Sequence, residues 1–76
     1  MKLPIISGRE VVKILTRLGF KTVGRKGSHI CLKKKNEQTF IVIVPHHREL
    51  ARDTLRAILW QANLKPEEFL NYYKTY

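Results

Sequence analysis

Most of the features that staple, anchor or insulate a small protein are missing from this chain. There is one cysteine, Cys31, so no internal disulfide can form. Its place in an alternating apolar stretch marks it as a small, half-buried hydrophobe. No apolar run approaches the roughly 20 residues of a membrane span. The opening Met1-Lys2-Leu3-Pro4 has no apolar signal core, and the expected location is the cytoplasm. Repeats, low-complexity tracts and linkers are absent as well. The 76 residues suit a single domain, 1–76. A domain of this size buries only about 60% of its unfolded surface. It cannot enclose a large substrate, so whatever it acts on is expected to lie across its surface.

Acidic side chains are also scarce. Asp and Glu total 6 against 15 Lys and Arg, a formal charge of +9 and a pI near 10.1. That imbalance points to a polyanionic partner, because basic groups on phosphates release condensed counterions. Nucleic acid is favoured over anionic lipid, since no segment sets an aromatic face opposite a basic one. No helix-turn-helix signature accompanies the charge, which weakens the case for a DNA-binding regulator.

The remaining signals are periodic. Ser7 and Glu10 form a capping box, Ile6 and Val11 stand at staple positions, and Val11, Ile14, Leu15 and Leu18 recur at helical spacing. A helix is predicted from Gly8 to Leu18, stopped by Gly19 in the left-handed region, with Phe20 folding back onto Leu15. Three strands follow, Phe20–Arg25, Ser28–Lys34 and Thr39–Val44, joined by turns at Lys26-Gly27 and Lys35-Asn36-Glu37. In the second, Ile30 and Leu32 share one face while His29, Cys31 and Lys33 share the other. The third is apolar on both faces, which suggests either a central strand or an outer face covered by a partner. A second helix, capped by Asp53 or Thr54, carries Leu55, Ile58, Leu59 and Ala62 and ends at Asn63. Pro66, Glu67 and Glu68 open a short last helix. Short turns between consecutive strands favour a meander, hence an α+β sandwich of one sheet and helices.

Several pieces along the chain form a pattern when taken together. They are Gly19-Phe20, Arg25-x-Gly27-Ser28-His29, Pro45-x-His47, Thr54-Leu55-Arg56-x-Ile58-Leu59 and Glu67-Glu68-Phe69. In order and spacing this pattern resembles the HicA toxin family. The resemblance implies a double-stranded-RNA-binding-domain-like α-β-β-β-α fold, with a three-stranded antiparallel sheet and helices on one face. It also implies endoribonuclease activity on mRNA, inhibition by a HicB-type antitoxin, and a catalytic histidine at His29. Where many members carry a second histidine, this chain has Ile30. Where they often have glycine, it has Asp53 and Asn63, which suit a helix cap and a left-handed residue.

The chemistry fits the residue types. RNA supplies its own nucleophile, the 2′-hydroxyl, so a nuclease without metal needs a base, donors for the phosphate and a proton for the leaving oxygen. Histidine can be that base because its charge changes near physiological pH. His29 stands beside Gly27 and Ser28, where a phosphate can approach the backbone. Arg25, Lys26 and Lys33 are close enough in sequence to hold its charge. His47 could supply the second proton, although a structural role, holding the loop after Pro45 by a backbone hydrogen bond, is the favoured reading. Arg48, Arg52 and Arg56 would form one stripe if helical. They are open to phosphate contact or, equally, to pairing of Glu49 with Arg52 and of Asp53 with Arg56. Lys33-Lys34-Lys35 reads as a soluble hairpin tip, and Trp60 and Phe69 as packing residues. Three histidines without a cysteine pair or a carboxylate at ligand spacing make no zinc site, so no metal or other cofactor is expected. The competing function is a non-catalytic RNA-binding module of the same fold. An acidic antitoxin is expected to cover His29 together with the outer face of the third strand, either Ile41 and Ile43 or the alternating set of Phe40, Val42 and Val44.

Overall fold

The computed structural model describes residues 3–75. Six elements follow in order: α1 (Gly8–Arg17), β1 (Lys21–Lys26), β2 (His29–Lys35), β3 (Thr39–Pro45), α2 (Arg52–Gln61) and α3 (Pro66–Thr75). The first helix starts where the capping box requires. The amide of Glu10 donates to Ser7 Oγ and the amide of Ser7 donates to Glu10 Oε1, each at 3.1 Å. It stops in a Schellman turn: Gly19 takes φ 103°, its amide donates to the Thr16 carbonyl at 3.1 Å, and that of Phe20 to Leu15 at 3.0 Å. Phe20 is thereby buried against the helix rather than being the first residue of a strand.

The strands form one antiparallel sheet in the order β1-β2-β3. The apolar β3 is therefore an edge strand and not a central one, because in a meander the middle strand of the chain is the middle strand of the sheet. Ile30, Leu32, Val42 and Val44 face the core, with the helices on that side only. The architecture is thus α+β and double-stranded-RNA-binding-domain-like. No polar or charged side chain is buried among the described residues.

The second helix departs from expectation at its start. Its N-cap is Ala51, with no side-chain cap bond, and Asp53 and Thr54 lie inside the first turn. Tertiary contacts set this boundary: Leu50 is buried and its amide donates to the Ile6 carbonyl at 2.8 Å. Arg48 consequently lies in the loop, outside any helical stripe. The helix ends as read, on Asn63 at φ 57°, with the Leu64 amide donating to the Leu59 carbonyl at 2.9 Å. Trp60 is no packing residue: it is 82% exposed, whereas Leu55, Ile58 and Leu59 form the buried stripe one side-chain direction away. Phe69 is fully buried. The last helix is not short, since its 10 residues equal the length of each of the other two.

Candidate nucleic-acid interface

The site is built on the β1–β2 hairpin. Lys26 and His29 are register partners, which leaves Gly27-Ser28 as a two-residue turn. Gly27 stands first in that turn at φ 58°, a conformation that glycine takes without steric cost. His29, the first residue of β2, is exposed and faces Lys26 on one side and Pro45 of β3 on the other. Alternation along β2 puts Cys31 and Lys33 on the same outer face. Cys31 lies between Gly24 and Ile43, and Lys33 between Lys21 and Ile41.

These rows enclose a shallow open depression of about 540 Å³, lined by Gly24, Arg25, Lys26, His29, Cys31 and Ile43. Its floor exists because Gly24 has no side chain: nothing lies within 4 Å of where a Cβ would stand. Between Lys21 and Pro45 the only acidic residue is Glu37, at the far β2–β3 turn. The outer face is therefore basic and apolar, a combination suited to a phosphate with a base beside it.

Beyond His29 the ladder continues through one more pair, in which the His46 amide donates to the Ser28 carbonyl. Neighbouring rows of a pleated sheet face opposite ways, so His46 leaves on the helix side. There Arg25 Nη2 meets His46 Nδ1 at 3.4 Å, and Arg25 Nε makes a long contact of 3.5 Å to the Gly27 carbonyl. A guanidinium only donates, so in this contact His46 Nδ1 stands on the accepting side. Arg25 thus stands on the rim between His29 and His46.

His47 holds the loop through its backbone. Its carbonyl accepts from the Gly8 amide at 2.9 Å. His47 and Arg48 border a separate depression with Ser7, Arg9 and His46. Arg52 Nε donates to the Leu3 carbonyl at 2.7 Å, and Arg56 pairs with Asp53 at 3.6 Å in the open. Lys34 is half-buried and covers Phe20, its Nζ lying 5.8 Å from the ring centroid, so the hairpin tip is partly structural. The fold therefore gathers Arg25, Lys26, Gly27, Ser28 and His29 in one place, with Lys33 farther along the same face. It keeps His47, Arg48 and Arg52 apart from them. Gly24 carries no signal in the sequence, where Cys31 reads as a half-buried hydrophobe, Ile43 as a residue covered by a partner, and His46 has no assigned role. The signal that places them is the pairing register, and the turn lengths alone do not reveal it. Among the described residues no group of three His, Cys, Asp or Glu side chains could hold a metal ion.

The structure is thus a small α+β domain of double-stranded-RNA-binding-like architecture whose outer sheet face is basic and bears an exposed histidine. A family model described as HicA toxin of bacterial toxin–antitoxin matches residues 8–64, and the chain belongs to that family. The match covers the hairpin and both helices that flank the sheet in sequence, while Glu67-Glu68-Phe69 falls outside it. No curated protein matches the chain. Membership implies an antitoxin partner. No helix among the described residues is long and apolar enough to cross a membrane.

Proposed function

We propose that the chain is a metal-independent endoribonuclease toxin that cleaves mRNA with His29 as general base and is silenced by a HicB-type antitoxin. The observation that carries this reading is the placement of an exposed histidine directly across the hairpin from Lys26, above the Gly24–Cys31–Ile43 floor. A purely binding surface has no use for an imidazole there. In this mechanism the neutral ring of His29 takes the proton of a 2′-hydroxyl, whose oxygen attacks the adjacent phosphorus. Lys26 and Arg25 stabilise the negative charge gathering on the non-bridging oxygens. The bond to the 5′-oxygen breaks, and that oxygen takes a proton from water or from a donor on the rim. The products are a 2′,3′-cyclic phosphate and a 5′-hydroxyl. Lys33, Arg48 and Arg52 are assigned to flanking phosphates, with Gly27 and Ser28 letting the backbone come close.

The test is His29→Ala, measured with purified protein in the presence of a chelator. Loss of a general base lowers the rate by about 10²–10⁴-fold. Folding and RNA affinity should be retained, because an exposed strand position away from the core costs about 1 kcal/mol or less. A 2′-deoxy substitution at the cleaved nucleotide should block the wild-type reaction. Full activity in the variant, or cleavage abolished by chelator, would refute the assignment. Intact binding with no cleavage by the wild type would favour the non-catalytic module.

A further inference from the structure

The two edges of the sheet are built differently. The β1 edge carries Lys21, Arg25 and Lys26 and a register shift between Thr22 and Gly24 that leaves Val23 as an extra residue. Charge and a bulge are the usual means of keeping an edge from pairing. The β3 edge has neither. Thr39–Pro45 contains no charged side chain and pairs with β2 without interruption. The Ile43 amide donates to Gln61 Oε1 at 3.4 Å, so it points away from β2. By the alternation of an antiparallel ladder, the backbone groups of Thr39 and Ile41 also face outward. Pro45, which has no amide, falls at the next outward position. On the outer face Ile41 and Ile43 are 57% and 49% exposed, and Trp60, adjacent to Gln61 on α2, is 82% exposed.

We propose that the β3 edge is a strand-addition site for an extended segment of an acidic partner protein. The segment pairs its backbone with Thr39 and Ile41, and one of its carbonyls displaces the long Gln61 contact from the Ile43 amide. Alternate apolar side chains of the segment cover Ile41 and Ile43, and its opposite face meets Trp60. Acidity follows from the +9 charge and from Lys33 and Lys35, the register partners of Ile41 and Thr39. A second copy of this chain presents the same edge but the same charge, and RNA has no use for ladder groups. The existence of a protein partner rests on the antitoxin reading above, whereas the site itself is independent of His29.

The experiment uses the full chain and a synthetic peptide of alternating glutamate and valine spanning the 7 residues of β3. Its control is the same peptide N-methylated at alternate residues on the pairing side, which keeps the charge and removes the ladder donors. The unmodified peptide should protect the Ile41 amide from hydrogen exchange and shift Trp60 fluorescence. The methylated form should bind at least about tenfold more weakly. Trp60→Ala should weaken the peptide several-fold without changing the melting temperature, and His29→Ala should bind it as the wild type does. Equal affinity for the two peptides, absence of binding, or protection at β1 instead would overturn the proposal. So would a peptide-free dimer that protects Ile41, or protection of Ile41 by single-stranded RNA. None of these outcomes bears on cleavage by His29, which the chelator assay decides separately.

Discussion

Gly8 opens a helix, a position where alanine ordinarily stabilises by up to about 1 kcal/mol. Here a Cβ would stand inside van der Waals contact with the carbonyl oxygen of Pro45, a backbone atom that cannot turn aside. Overpacking of this kind costs about 1–3 kcal/mol, so the clash outweighs the propensity. Gly8→Ala should lower the melting temperature by at least about 4 °C. It should also lower cleavage per folded molecule, because Pro45 precedes the histidine that meets Arg25. An unchanged melting curve would show that the junction between α1 and β3 relaxes freely. The two histidines that follow Pro45 separate by the same logic. His47 contributes a carbonyl that any residue has, so His47→Ala should leave stability within about 0.5 kcal/mol. His46→Ala removes the side-chain partner of Arg25 and should reduce cleavage several-fold with an unchanged melt. Equal losses from the two variants would contradict this division.

At the scale of elements, both described helix stops are Schellman turns, one on Gly19 and one on Asn63. Asn63→Gly relieves the left-handed penalty and should be neutral or stabilising by a few tenths to about 1 kcal/mol. The start of α1 is held by reciprocal Ser7–Glu10 hydrogen bonds, and Ser7→Ala should cost about 1 kcal/mol in a denaturant titration. No loss there would mean that the staple of Ile6 and Val11, both buried, suffices to hold the chain entry. The start of α2 has no such side-chain cap. Its position is set by Leu50, anchored through its amide to Ile6, and by Arg52 reaching the Leu3 carbonyl. That anchoring explains why neither Asp53 nor Thr54 serves as the cap. A local capping preference worth about 1 kcal/mol yields to burial of a leucine worth about 2 kcal/mol.

For the whole molecule the dominant quantity is charge. The Cα radius of gyration is 11.4 Å, the value a folded chain of this length has, so substrate must be met on the outside. If Arg25, Lys26, Lys33, Arg48 and Arg52 each contact a phosphate of single-stranded RNA, the log–log slope of affinity against salt is about −3.5. A slope near zero between about 50 and 200 mM salt would count against an RNA role. Retained affinity in His29→Ala with this same slope would separate binding from chemistry.

Helix α1, its cap and stop, the three strands and the inward set of Ile30 and Leu32 were legible in the sequence because each depends on neighbours within a few residues. Periodicity, capping and left-handed stops are local physics. The turn at Gly27 was legible for the same reason, but pairing of Lys26 with His29 moved it one residue, from Lys26-Gly27 to Gly27-Ser28. Tertiary structure alone decided the rest. Register set Pro45 against His29 and His46 against Ser28. The rotation of α2 about its axis turned Trp60 outward and buried Leu59. Each of these depends on which surfaces meet across the core. Neighbouring residues in the chain carry no record of that choice, since burial against a distant partner outweighs local preferences of about 1 kcal/mol.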